Sequence, residues 1–480
     1  MLPVVIPLTP QITPLSATQK LEHLPGLCVL ESAMRSPTLG RYSYVMADPW
    51  HSDKIDTVPA ANGDLFAQHS DLLRTLPFDR APQLPPFQGG LVGVLSYEAG
   101  RAFDPMPSAG NRDFPVPEFS TGCYDVILAW DHEQGMAWLI SQGWPETDPT
   151  ARGIRAQARA EEFLSYFAEN ADRPSSPAAL EGSRRPLADL TIPTFPLSEH
   201  PGVWTNFARD DYLESVGRVI AYIRAGDIFQ ANLTQRLLIE QTQSPLEIWQ
   251  SLREKNPAPF MAFWNRPEWS LISSSPERFL KVRDRHVETR PIKGTRRRQG
   301  GEADLFLRDE LRESQKDVAE NVMIVDLLRN DLSRVCRPGS VKVPSLCEVE
   351  TYKTVQHLVS VVTGELAENC DTWDALRATF PGGSITGAPK IRATQIIAEL
   401  EPSVRGPYTG TLFYMTPDLW CDSSILIRTF VASQGWLQLG VGGGIVVNSD
   451  PQAEYEETLT KAVGMLSALN LPLRNRQEIG

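Results

Sequence analysis

The chain has 480 residues, 41% of them hydrophobic and 22% charged, with a formal net charge of −13. That is enough apolar sequence for a large globular core, and the length suggests roughly two to four domains. The acidic balance excludes a general nucleic-acid binder, which needs a basic face, but it leaves room for a local anion pocket.

The N-terminus, Met1-Leu2-Pro3-Val4-Val5-Ile6-Pro7, has no basic residues before its short apolar run, so no secretory signal is expected. No apolar run approaches the roughly 18 residues of a membrane span, and no membrane partner is expected. Six cysteines are scattered without a CxxC pair. That usage fits a reduced cytoplasm and implies neither a zinc site nor a disulfide framework.

Gly-rich turns and strand patterns dominate the first third. Gly89–Tyr97 reads as a strand, residues 123–130 as another, and residues 136–140 as its hairpin partner. A helix is predicted over about 149–168, where Ala, Arg and Glu are frequent. Prolines crowd the stretch from Pro174 to Pro201, which reads as a linker or exposed excursion. The expected division is therefore an N-terminal region over 1–170, the Pro-rich segment over 171–203 and a second region over 204–468, packed as one interwoven unit.

Beyond the linker, Thr205 or Asn206 could cap a helix that runs to Ile223 and ends at Gly226, with a strand starting near Phe229. One long helix is predicted over 302–332, then strands over 409–415, 423–432 and 436–447. A last helix runs from Pro451 to about Leu469. Helices and strands in mixed order, with hairpins, favour an α+β fold: a large antiparallel β-sandwich flanked by helices rather than a doubly wound parallel sheet.

Lys293, in Arg290-Pro291-Ile292-Lys293-Gly294-Thr295, sits in a setting poor for a helix or a central strand. Its amine is a nucleophile wherever the surroundings let it shed its proton. In the last helix Glu454, Glu457 and Lys461 share one face, which by itself equally describes a solvated ion-pair surface. Before that helix, Gly442-Gly443-Gly444 would expose backbone N–H groups to a carboxylate, since no side chains block the approach. Glu320 lies in a densely apolar stretch; with a carboxylate from a second helix it could form an oxygen-rich Mg²⁺ site, or it could be a surface acid. Glu277 follows a proline at a strand end, where partial burial would let it act as a general acid. Gly382-Gly383-Ser384-Ile385-Thr386-Gly387 reads either as an anion loop before a helix or as a tight structural turn. Arg428 interrupts an apolar strand and calls for a partner such as a substrate carboxylate, while His357 could be a satisfied core histidine.

In this order, Gly226-Asp227-Ile228-Phe229-Gln230, Ser275-Pro276-Glu277, Pro291-Ile292-Lys293-Gly294-Thr295, Arg329-Asn330-Asp331, Gly387-Ala388-Pro389-Lys390 and Gly442-Gly443-Gly444-Ile445 resemble the chorismate-utilising enzymes. That family includes the anthranilate, aminodeoxychorismate, isochorismate and salicylate synthases. The likeness is strong over about 204–468, and Leu30-Glu31-Ser32 with Arg41-Tyr42-Ser43-Tyr44 extends it to the N-terminal region.

The resemblance implies that Glu320 and Glu457, supported by Glu454, bind Mg²⁺. It implies that Tyr408, Arg428, the Gly442–Gly444 strand and Lys461 meet the carboxylates of chorismate, with Ser384 or Thr386 and His357 nearby. Glu277 would help the C4 hydroxyl leave. Members that add water have lysine where Gln230 stands; members that aminate C2 have alanine at the position of Lys293, and members that aminate C4 have lysine there. The resemblance therefore implies conversion of chorismate and ammonia to 4-amino-4-deoxychorismate through a covalent adduct on Lys293, towards 4-aminobenzoate and folate. No glutaminase region is recognisable, so a separate glutaminase subunit would supply the ammonia, and Arg329-Asn330-Asp331 is a candidate for its docking surface. Glu31, Ser32 and Tyr42 mark a possible tryptophan pocket. The alternatives are a C2-aminating enzyme making anthranilate and a non-catalytic chorismate- or tryptophan-binding regulator. Arg296-Arg297-Arg298-Gln299-Gly300-Gly301 departs from the family's common Arg-Pro-Arg-Gly continuation, which leaves that loop's path open.

Overall fold

The computed structural model describes residues 2–34, 39–59, 64–107, 110–168, 184–352, 355–469 and 471. Two antiparallel sheets, one of 13 and one of 10 strands, face each other across an apolar layer. Residues from both sheets fill that layer, among them Tyr44, Trp264 and Leu271 from the larger and Val92, Leu412 and Tyr414 from the smaller. The outer face of the larger sheet is covered by helices that include Arg209–Arg224, Pro245–Lys255 and Pro451–Ser467. The outer face of the smaller sheet is covered by Gln315–Ser333 and Thr372–Thr379. The result is the expected α+β antiparallel sandwich flanked by helices.

Strands from both ends of the chain share each sheet. Cys28–Glu31 pairs with Phe260–Asn265 in the larger sheet, and Gly90–Leu95 pairs with Thr411–Met415 in the smaller. From the Pro-rich stretch, residues 169–183 lie outside the described residues. The remainder is docked: Phe195–Pro196 forms an edge strand against Val203–Thr205, and Thr191 bonds to Asp113.

Four sequence expectations need correction. The apolar run 123–130 is two strands, Phe119–Tyr124 in the smaller sheet and Val126–Asp131 in the larger, and the chain changes sheets at Asp125. The run 423–432 likewise divides into Cys421–Ile425 and Thr429–Ser433, with Arg428 at φ 51° in the crossing. A continuous apolar run has no periodicity to reveal such a change of sheet. The long helix 302–332 is two helices, Ala303–Glu313 and Gln315–Ser333; Ser314 is extended and accepts the Asp317 N–H to cap the second. The helix Arg209–Arg224 starts after Ala208 instead of Thr205 or Asn206. Those two side chains bond across the sheet, Thr205 to Gln235 and Asn206 to the Arg236 N–H and Ser403.

Candidate active site

The site forms where the helices Gln315–Ser333 and Pro451–Ser467, the Lys293 strand, the turn Gly383–Ile385 and the glycine end of Trp436–Ile445 converge. Lys293 lies on Ile292–Arg297, and Gly294 at φ 66° makes the bulge that shifts register between Lys293 and Thr295. Its Nζ donates to the Ser384 carbonyl at 3.2 Å. The Ser384 hydroxyl in turn donates to Glu277 Oε1 at 2.9 Å. One turn residue thus holds both the lysine and the acid, although Ser384 and Glu277 are 107 positions apart.

Glu277 sits between Ser270–Ser275 and Arg278–Arg283 and is buried. Burial raises its pKa to about 7, against the opposing pull of the Lys293 ammonium, the Ser384 hydrogen bond, the Ile292 N–H and Arg428. Burial also moves the Lys293 amine below its ordinary value, and the carboxylates Glu320 and Glu277 resist that shift. Burial thus pushes both groups in the direction of their neutral forms.

Glu320 projects from the helix Gln315–Ser333, and its pKa is raised by burial, with Lys293 and Lys316 opposing. Its Oε1 is buried and has no hydrogen-bond partner. On the facing helix, Glu454 is buried and accepts from Ser449 Oγ at 2.6 Å, with Lys316 Nζ at 3.6 Å. Glu457 pairs with Lys461 at 2.8 Å; burial favours its neutral form, but Lys461, Lys316 and Lys293 together hold its pKa below the usual value. Lys461 also donates to the Gly442 carbonyl at 2.8 Å.

Gly443 lies close against this assembly. A Cβ there would stand 3.2 Å from Glu454 Oε2 and 3.7 Å from both Glu457 Oε1 and Lys461 Nζ. Among the described residues no set of three acidic, histidine or cysteine ligands could hold a metal by itself. A hard cation such as Mg²⁺ needs only one or two protein carboxylates and completes its shell with water and substrate oxygens. The Glu320 oxygen without a hydrogen-bond partner is a donor of that kind, and the Glu457 carboxylate, which feels the charges of Lys316 and Lys293, is a second candidate.

His357 is buried; its Nδ1 is 2.9 Å from Thr295 Oγ1, and burial, with a smaller push from Arg428, lowers its pKa to about 3. It is a neutral imidazole under ordinary conditions. Arg428 is half-buried, with Glu277 as the acid whose charge it feels. Thr386 is less available than Ser384, because its hydroxyl closes its own turn on the Gly382 carbonyl at 2.9 Å. Tyr408 packs its ring on Gly440 and lines a void of about 20 Å³ with Thr429. Among the described residues no hydrogen bond joins it to Lys293 or Glu277.

Sequence reasoning left out Lys316 and used Gln230 only to tell family members apart. Lys316 lies one turn before Glu320 on the same helix face, a spacing that could have revealed it. Gln230 is fully buried at the start of Gln230–Glu240, its amide N and O have no partner, and Gly444 leaves the space it occupies. The candidate partner motif Arg329-Asn330-Asp331 is only in part a surface. Asp331 is buried in a 2.8 Å ion pair with Lys390, which ties two helices together.

A second cavity of ≈ 260 Å³ opens between the sheets, lined by Glu31, Ser32, Tyr42, Tyr44, Arg278 and Asp422. Glu31 accepts from Arg253 Nε at 2.9 Å. Arg278 is held by Asp422 at 2.9 and 3.0 Å and by Glu288 at 2.9 Å.

Residues 40–467 match the family described as chorismate binding enzyme, and the chain belongs to that family. It is 38% identical to anthranilate synthase component 1 of Thermus thermophilus over 96% of each chain. It is 37% identical to aminodeoxychorismate synthase component 1 of Salmonella typhimurium over 94% of each. The crystal structure of anthranilate synthase component I from Streptococcus pneumoniae superposes with a TM-score of 0.74 at 28% identity, covering 90% of this chain and 93% of that one.

Proposed function

We propose that this enzyme aminates chorismate at C4, giving 4-amino-4-deoxychorismate, with Lys293 as a covalent nucleophile and Glu277 as general acid. The observation that carries this reading is the shared hold of Ser384 on the Lys293 amine and the Glu277 carboxyl. An acid and an amine held together, both pushed by burial towards their neutral forms, suit a displacement of hydroxide by an amine.

In the first step the Lys293 nitrogen bonds to C2 of chorismate, the ring double bonds shift, and the C4–O bond breaks. Glu277 gives its proton to the departing hydroxyl, which leaves as water, and its carboxylate then takes the excess proton from the lysine nitrogen. In the second step ammonia bonds to C4, the double bonds shift back, and the C2–N bond breaks to release the lysine amine. The proton lost by the new C4 nitrogen returns through Glu277 to restore the starting forms. The sum is chorismate plus ammonia giving the 4-amino product plus water.

Glu320 and Glu457, with Glu454 behind them, would hold Mg²⁺, which when bound offsets substrate carboxylate charge and orients the ring. Lys461, Arg428 and the N–H groups of Gly442–Gly444 are the charge-matched receivers of the substrate's carboxylates, and Tyr408 and His357 close the wall behind them. The component 1 relatives support a separate glutaminase subunit as ammonia source, and the free cysteines suit work in the cytoplasm. Incubation with a slow-reacting chorismate analogue, followed by peptide mass spectrometry, should place an adduct on Lys293; an unmodified Lys293 would sink the covalent route.

The second reading is anthranilate formation, favoured by relatives of that name at similar identity. Lys293, in place of the alanine of C2-aminating enzymes, weighs against it. In the second cavity the Glu31 carboxylate, Ser32 and the Tyr42 ring supply an ammonium partner, a hydroxyl and an aromatic wall. Those groups suit tryptophan as its occupant.

A further inference from the structure

Arg405 lies behind the reacting groups and touches none of them, yet its side chain is only 2% exposed. A guanidinium has five N–H donors, and each of these finds an acceptor. Nε and one Nη2 proton bind the two Glu401 oxygens, at 2.9 and 2.7 Å. The other Nη2 proton goes to the Asn232 carbonyl at 2.6 Å. The Nη1 protons reach the Ile385 carbonyl at 2.9 Å and Thr409 Oγ1 at 3.3 Å.

Those acceptors are the neighbours of site residues. Ile385 is flanked by Ser384 and Thr386, Asn232 is two residues beyond Gln230, and Thr409 follows Tyr408. The guanidinium lies 4.5 Å over the Tyr97 ring, and Glu98 accepts the Arg405 and Gly406 backbone N–H groups at 2.7 and 3.0 Å. Glu401 Oε1 also takes the Thr234 N–H at 3.0 Å. One buried ion pair thus ties the N-terminal segment, the strand Gln230–Glu240 and the Ser384 turn to a single point.

We propose that Arg405 is a positioning residue: it fixes the turn through the Ile385 carbonyl so that Ser384 can hold Lys293 and Glu277 in one geometry. Lysine keeps the charge opposite Glu401 but has three donors on one nitrogen and no planar fork, so it cannot reach the Ile385, Asn232 and Glu401 acceptors together. A displacement of about 1 Å at a reacting group costs on the order of a hundredfold in rate. The inference rests on the role proposed for Ser384, Lys293 and Glu277, but not on which product forms.

The test follows chorismate consumption by Arg405→Lys, Ser384→Ala and the double variant, each as a melting-checked folded protein. Arg405→Lys should lower kcat at least tenfold while KM changes less than threefold. It should also move the alkaline limb of the rate profile upwards, because Glu277 then loses the Ser384 hydrogen bond and keeps only Lys293, Arg428 and the Ile292 N–H to oppose its burial. Adding Ser384→Ala should cost less than threefold more. Should Arg405→Lys fail to fold, Glu401→Gln carries the test with the same expected signature. A variant that melts earlier but keeps the native kcat and limb, or losses that simply multiply, would overturn the proposal. An inactive native enzyme would count against the functional reading instead.

Discussion

Glu277 and Arg278 are consecutive residues with different surroundings. Arg278, in the cavity with Glu31 and Tyr42, is paired: Asp422 and Glu288 hold its guanidinium from two sides. Glu277, beside Lys293, has a raised pKa and a single side-chain hydrogen bond, from Ser384. The same contrast holds around them, since Glu320 Oε1 and both polar atoms of the Gln230 amide are buried without partners. A paired buried charge recovers part of its desolvation cost, whereas an unsatisfied buried group costs about 1–3 kcal/mol until something binds it. Around Tyr42 the carboxylate of Glu31 and the guanidinium of Arg278 are paired, whereas at the candidate active site buried polar atoms of Glu320 and Gln230 lack partners, a pattern common at reaction sites.

The largest expected effect comes from removing the nucleophile. Lys293→Ala should lower formation of the 4-amino product by roughly 10³-fold or more, with any residual turnover diverted to 2-amino chemistry. Chromatography of products after long incubation reads both. Near-native 4-amino product would place the nucleophile elsewhere.

Next comes the acid. Glu277→Gln should cost roughly 10²–10⁴-fold in kcat. In the native enzyme Glu277 must be protonated, so kcat should fall about tenfold per pH unit above its pKa of about 7. The variant should lose that limb, and a limb that persists would assign it to another group. Glu320→Gln removes the unpartnered buried oxygen's charge, and it should raise the Mg²⁺ concentration needed for half-maximal rate at least tenfold. Isothermal titration of Mg²⁺ without substrate checks the same loss independently of turnover.

In the cavity of Glu31 and Tyr42, Glu31→Gln should weaken the proposed tryptophan binding about tenfold or more in calorimetry, because a charge-assisted contact is lost. Binding at native strength would remove Glu31 from that pocket.

The smallest effect concerns stability. His357 has its folded-state pKa lowered to about 3, below an unfolded value of about 6.5. Between those values the unfolded chain binds the extra proton, so native stability falls as pH drops through that window. His357→Asn should melt with a shallower dependence on pH between 6.5 and 3 than the native enzyme; parallel curves would show that His357 does not contribute.

The sequence reading went furthest where geometry is local. Glu454, Glu457 and Lys461 share a helix face by spacing, and the adjoining glycines mark a close approach that Gly443 makes. The antiparallel sandwich was legible because hairpins and alternating patterns repeat along the chain. What stayed hidden was set by contacts distant in sequence. The apolar runs through Asp125 and Arg428 look continuous, because burial on both faces erases the period that would mark a change of sheet. Ser314 ends one helix and caps the next inside a pattern that suits helix throughout. Arg405 drew no notice because its acceptors include the backbone carbonyls of Ile385 and Asn232, up to 173 positions away. A backbone carbonyl has no signature in the residue letters.

The account depends most on what Lys293 does to chorismate. Purified enzyme incubated with chorismate, Mg²⁺ and ammonium should yield 4-amino-4-deoxychorismate as its main product, identified by mass spectrometry and by conversion to 4-aminobenzoate with an added lyase. Anthranilate as the main product, or untouched chorismate, would contradict it.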